Sequence, residues 1–192
     1  MIVINTVPTE RNGLTTSVFN YIKHLDMKVD YVSLNEPVDP VFRSIIGEKG
    51  GKFYVIPQRL RHPVRYFFSL IKVLRGQDIM HVHGNSATMA IELLAGFLAG
   101  VRRRIAHSHS TRCEYRKADK LLRPIFYLLC THRAACGQDA GQWLFPGRDF
   151  TVFNNAVDIE RFRFSSGLRE EKRRLLGISS EETVFLHLAN FD

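Results

Sequence analysis

Four histidines pose the first chemical question. His81 and His83 stand two apart in "DIMHVHG", and His107 and His109 repeat that spacing in "RIAHSHSTR". Alternate residues of a β-strand face the same way, so each pair shares a face. The two segments end strand patterns that a right-handed crossover would set side by side. Three uses stay open: a metal site, a hydrogen-bonded structural cluster, or contact with a substrate. No carboxylate or cysteine joins the imidazoles at ligand spacing, so no metal is expected.

A second candidate is Asn12-Gly13-Leu14, at the start of a helical pattern. Free backbone N–H groups and the helix dipole favour phosphate there, and glycine lets a ligand approach the backbone. The same residues also read as a plain turn. No G-x-G-x-x-G follows any strand pattern and no G-x-x-x-x-G-K-[ST] is present. The usual signatures of a nicotinamide-dependent oxidoreductase and of a P-loop NTPase are therefore missing.

The elements that must position these residues alternate regularly. Strand patterns at 2–7, 29–34, 52–57, 78–84, 103–110, 133–137 and 150–155 are separated by helical ones. The helices are read from Leu14 to Leu25, around 39–48, from Pro63 to Leu74, over 85–100, 117–130 and 138–145, and at 167–178. Thr15, Thr16 and Ser17 offer hydroxyls for capping the first. Such alternation predicts a doubly wound, mostly parallel, Rossmann-like α/β sheet. Ligands of open α/β sheets bind beyond the carboxyl ends of the strands, which draws attention to His83, Gly84, Asn85, His107, His109 and Ser110.

The pattern "TVFLHLANFD" at 183–192 reads as one further strand, and the expectation is a domain over 1–165 followed by the start of a truncated second one over 166–192.

Composition narrows the class. A 192-residue chain with 45% hydrophobic and 24% charged residues folds around a core rather than remaining disordered. Cys113, Cys130 and Cys136 form no CxxC pair and suit a reducing, cytoplasmic setting. No signal peptide is visible, and the most apolar helix pattern carries Glu92 at its centre and is too short to span a bilayer.

The net charge of +8 is concentrated. Residues 59–75 hold five Lys or Arg and no acid, and residues 101–123 hold eight against Glu114 and Asp119. Aliphatic and aromatic residues interleave with this charge in "RLRHPVRYFF" and "RKADKLLRPIFYLL", as on helices that dock on anionic membranes. Arg59, Arg61 and Arg65 are the residues expected to carry such docking. No recognition motif or stacking platform accompanies the charge, so no nucleic-acid partner is expected.

Taken in order, "RNGLTTSVFNYIKHL", "DIMHVHGNSATMAIELLAGFLAGVRRRIAHSHSTR" and "FTVFNNAVDIERFRF" resemble segments of the N-terminal half of family 4 glycosyltransferases, the retaining GT-B enzymes, particularly their capsule and exopolysaccharide members. The last is similar to their N-G-[VI]-D-x-x-[RK]-F interdomain link, and "KRRLLGISSEETVFLHLANF" to the opening of their second domain. Asn12-Gly13 stands where a doubled glycine is common, and Ala156 where the link usually has glycine.

The resemblance implies metal-independent transfer of a sugar from a nucleotide-sugar to a glycan or glycolipid acceptor, lipid-linked in the expected case, at the inner face of the cell membrane. It places contact with the donor sugar on His109 and the donor diphosphate near Asn12, Gly13 and Leu14. The acceptor cleft falls to His83, Gly84, Asn85, His107 and Ser110. The missing C-terminal domain would hold most donor contacts, so this chain alone is expected to be inactive. The competing expectation is a non-catalytic module that binds the partner of a split glycosyltransferase.

Overall fold

The structure, a computed structural model, describes residues 1–6, 9, 12–34 and 38–187. Fourteen regular elements follow in chain order among these residues. They are β1 (Ile2–Asn5), α1 (Gly13–His24), β2 (Asp30–Ser33), α2 (Pro40–Glu48), β3 (Phe53–Val55), α3 (Pro63–Leu74) and β4 (Ile79–Gly84). After a 3-10 turn at Ala87–Met89 come α4 (Ala90–Leu98), β5 (Arg103–Ser108), α5 (Arg116–Leu129), β6 (His132–Ala135), α6 (Gln138–Leu144), β7 (Thr151–Val152) and α7 (Ser166–Leu176).

The seven strands form one sheet in the order β3-β2-β1-β4-β5-β6-β7, every pair parallel. Strand order reverses between β1 and β4, so the loops after these two strands leave in opposite directions and open a crevice. Every residue of β1 and β2 is buried, as expected of strands covered on both faces.

Two cores follow from the period of two. Ile2, Ile4, Met80, Val82 and Ala106 pack against Leu70 of α3, Leu93 of α4, Phe126 of α5 and Leu144 of α6. Val3 and Tyr31 face the other way, against Val18, Phe19 and Ile22 of α1 and Phe42, Ile45 and Ile46 of α2.

The cap of α1 differs from the expectation. Asn12 is the N-cap, in extended conformation, and its carboxamide oxygen accepts from Thr15 N at 2.8 Å. Thr15 and Ser17 are buried inside the helix, and the Ser17 hydroxyl donates to Asn155 Oδ1 at 3.1 Å instead. The expected 85–100 helix is divided: Ser86 caps the 3-10 turn, and α4 starts only at Ala90. The 150–155 strand shrinks to Thr151–Val152, because residues 153–156 turn onto α1. Residues 183–187 form no strand, and the rest of that pattern lies outside the described residues.

The chain divides into two compact units, Met1–Val157 and Asp158–Asp192. In the second, Ser165 caps α7 by accepting from Leu168 N, and Gly177 closes it at φ 68°, a left-handed conformation suited to glycine.

One buried charge pair ties α4 to the chain just before α3. Glu92 is fully buried, accepts from Arg59 Nη1 at 3.1 Å and from the Tyr66 hydroxyl at 2.6 Å, and leaves no charge uncompensated. Burial, then the adjacent Glu92 carboxylate, pushes the Tyr66 phenol well above its ordinary range, so it stays a donor. Arg59 thus turns inward, which corrects its assignment to a membrane-facing surface. Arg59→Met is expected to cost about 3 kcal/mol by stranding the Glu92 carboxylate, and adding Glu92→Leu should recover part of that loss. Urea unfolding of the two variants checks this; an Arg59→Met loss within about 0.5 kcal/mol, as for an ordinary surface change, would contradict it.

Candidate functional site

The carboxyl ends of β1, β4 and β5 lie together because β4 pairs with both neighbours. Asn5 is in register with His83, and His83 with His107. The ladder continues past the strands: Thr6 N and the Thr6 hydroxyl both donate to His83 O at 3.0 Å, and His109 N donates to Gly84 O at 3.2 Å. Gly84 is dictated by packing, since a Cβ there would sit 2.6 Å from Thr6 Oγ1 and 3.0 Å from Met89 Sδ.

The four histidines occupy the sheet face that carries Val3 and Asn5, and they touch one another. His81 Nε2 lies 3.1 Å from His107 Nδ1, and His83 Nδ1 lies 2.8 Å from His109 Nε2. The rings of His81 and His107 stack at 5.2 Å, and those of His107 and His109 at 4.3 Å. Phe153 closes on His107 at 6.0 Å and meets Tyr21 of α1 edge-on.

Such crowding excludes charge. Burial first, then His109, pushes His81 down to about 4. Burial, then His109 and His81, pushes His107 to about 2, and burial takes His109 to about 4. Burial, followed by the three neighbouring imidazoles, holds His83 well below its usual value. At neutral pH all four are uncharged, each with one N–H and one lone pair. His109 is therefore a hydrogen-bonding group near pH 7, not a cation.

Beyond the strand ends an open cavity of about 1330 Å³ is lined by Thr6, Asn85, Ser86, Thr88, Ser110 and a run from Thr111 to Arg116. Arg59, Asp119, Lys120, Arg123 and Trp143 complete its wall. Its floor is fixed by Asp119 of α5, which accepts from Ala87 N at 2.8 Å and from Arg123 Nε at 2.8 Å. Asn85 Oδ1 is buried and has no hydrogen-bond partner among the described residues, an acceptor open to a ligand hydroxyl or a water.

Of the sequence candidates, Asn85 and Ser110 line the cavity, while His83, Gly84, His107 and His109 form the packed ladder. Asn12, Gly13 and Leu14 open α1 and lie outside the cavity wall. A Cβ on Gly13 would meet nothing within 4 Å, so packing does not demand glycine there. Arg112, Tyr115, Arg116 and Trp143 were not singled out from the sequence. The two arginines belong to the basic 101–123 segment, whereas nothing local marks the aromatics as cavity residues.

Where the resembling link usually has glycine, Ala156 is held by α1: Asn20 Nδ2 donates to its carbonyl at 2.9 Å and its N–H donates to Ser17 Oγ at 3.3 Å. The Tyr21 hydroxyl donates to Asn154 O beside it. Among the described residues only glycines have positive φ, so alanine fits at this position without backbone strain.

No protein-family model matches the chain. It is 27% identical over 198 aligned residues to EpsF of Bacillus subtilis (strain 168), whose name describes a glycosyltransferase, covering 94% of this chain and 51% of EpsF. HepE (Alr3699) of Anabaena, solved in complex with UDP and glucose, superposes with a TM-score of 0.71 at 14% identity, over 92% of this chain and 50% of HepE. Its complex with UDP alone gives 0.67 over the same shares. The chain has the fold of the N-terminal half of a GT-B glycosyltransferase. The chain spans about half the length of each of these relatives.

The neutral ladder carries a pH signature. Each folded-state pKa lies below the 6.5 of a free imidazole, so the unfolded chain takes up protons first as pH falls. The stabilisation is complete above about pH 6.5 and is lost as pH falls toward 4. Stability in EDTA buffer should drop by on the order of 1 kcal/mol or more between pH 7 and pH 5, and less steeply in His81→Gln. Urea midpoints across that range check this; equal slopes for the two proteins would contradict it.

Proposed function

We propose that this domain is the acceptor-binding half of a transferase that moves a sugar from a nucleotide-sugar to a glycan in surface polysaccharide synthesis. The observation that carries the reading is the polar, cation-rimmed cavity at the strand-order reversal, on a chain similar to EpsF over 94% of its length. UDP and glucose in the HepE complex support a nucleotide-sugar donor.

The cavity suits a saccharide. Asn85 Oδ1 accepts from a sugar hydroxyl, Tyr115 and Trp143 offer apolar faces to a ring, and Arg112 and Arg116 attract an anionic group such as the phosphate of a lipid-linked acceptor. His109, neutral at working pH and braced by His83, hydrogen-bonds the transferred sugar rather than protonating it. Gly13 leaves room for the donor diphosphate beside the amino end of α1, and transfer proceeds with retention and without a metal ion in the chemical step. Most donor contacts belong to a second domain beyond the first 165 residues.

Membrane docking belongs to the same reading. Among the described residues no helix is long and apolar enough to cross a membrane. On α3, Val64 and Phe68 are exposed beside Arg61, Arg65 and Lys72, and on α5, Leu121 and Leu128 are exposed beside Lys117 and Lys120. This amphipathic, basic surface meets the inner face of the cell membrane.

Two experiments test the proposal. Protein carrying this chain together with a second GT-B domain, supplied with radiolabelled nucleotide-sugars and membrane glycolipid extract, should form labelled extractable product. His109→Ala should lower its kcat/KM by about 100-fold, the scale of a lost transition-state hydrogen bond. Absence of transfer from every nucleotide-sugar would overturn the transferase reading, and full activity in His109→Ala would overturn the role of that imidazole. Separately, the chain should float with anionic but not with zwitterionic liposomes, and Arg61→Gln with Arg65→Gln and Lys72→Gln should abolish flotation; unchanged flotation would remove the membrane contact.

A further inference from the structure

We infer that His81, His83 and His107 form a three-imidazole site for a late first-row divalent cation of the Zn²⁺ class, seated in the sheet and separate from the chemistry of sugar transfer.

The arrangement follows from the strands. An H-x-H pair on β4 puts two imidazoles on one face, and the register His83↔His107 sets a third beside them on β5. One donor nitrogen from each of the three lies within 4.8 Å of the other two. Tetrahedral coordination with metal–nitrogen bonds of about 2.0–2.1 Å separates donors by about 3.4 Å. The His81 Nε2–His107 Nδ1 pair, at 3.1 Å, is already near that spacing. Small rotations about the soft imidazole χ2 torsion bring in the third.

The donor type points the same way. An imidazole ring nitrogen supplies a lone pair to a cation. His107 is 1% exposed, and its Nδ1, turned toward His81 Nε2, is the nitrogen it presents to a cation inside the sheet. An all-nitrogen set without carboxylates disfavours Mg²⁺ and Ca²⁺ and favours Zn²⁺, Co²⁺, Ni²⁺ or Cu²⁺.

His109 is the natural second-layer group, since its Nε2 lies 2.8 Å from His83 Nδ1 and so orients a ligating ring. Bound cation would clamp the carboxyl ends of β4 and β5 and hold His109 in place. Nothing in this site depends on the transferase reading.

The test uses tag-free chain stripped with EDTA and then freed of it. Co²⁺ titration should saturate at one ion per chain with the intense visible absorption of a tetrahedral site, and one equivalent of Zn²⁺ should displace it and raise the melting temperature. His81→Asn, at the less buried end of the cluster, should weaken Co²⁺ binding at least tenfold, and so should His107→Asn. His24→Asn and His62→Asn, exposed and outside the cluster, should leave it unchanged. Circular dichroism of each variant guards against loss of fold. Failure to bind one Co²⁺, or binding retained in a folded His81→Asn variant, would overturn the site.

Discussion

Parallel pairing of β1 with β4 organises this domain. It places the reversal of strand order beside Asn5, Thr6 and His83, and it decides which residues reach the crevice. Because both sheet faces are covered there, the strands admit apolar residues almost throughout. Polar groups collect where the ladder ends, and each must find a partner or a ligand. The imidazole pairs, Thr6 on the His83 carbonyl and the open acceptor of Asn85 are three answers to that demand.

The two faces of the sheet then take on different work. On one, α3, α4 and α5 bury a continuous apolar core. The loop after β4 is anchored by Asp119, which accepts from Ala87 N, and by Arg59, which pairs with Glu92 and donates to Thr88 O. That loop forms the cavity wall, so a charge pair deep between helices bears on the shape of the site. On the other, α1 packs against β1 and β2 and also grips Asn154, Asn155 and Ala156. Helix α1 therefore couples the Gly13 turn at its start to the segment that ends the first unit, through Ser17, Asn20 and Tyr21 on adjoining turns.

Much of this was legible in the sequence. Alternating strand and helix patterns give the parallel sheet, because covered parallel strands have a distinctive β-branched, apolar character. The H-x-H spacings give the shared face of the imidazoles, because strand periodicity is local. What escaped depends on contacts between distant residues. Asn12 outcompeted three hydroxyls as the cap, and Arg59 left the basic surface to meet Glu92, a residue 33 positions away. Tyr115 and Trp143 come from different segments and meet only across the cavity. The β7 strand ended early because Phe153 and its successors found partners on α1 rather than in the sheet.

In the proposed function the cavity at the strand-order reversal receives the acceptor, and the single tryptophan of the chain, Trp143, lies in the cavity wall. Its fluorescence reports occupancy without a label. Titrating the chain with a synthetic short-chain polyprenyl diphosphate–linked sugar should give a saturable emission change, lost in Trp143→Phe and weakened by Arg112→Gln with Arg116→Gln. No change with that ligand, in a chain whose circular dichroism shows it folded, would contradict the account.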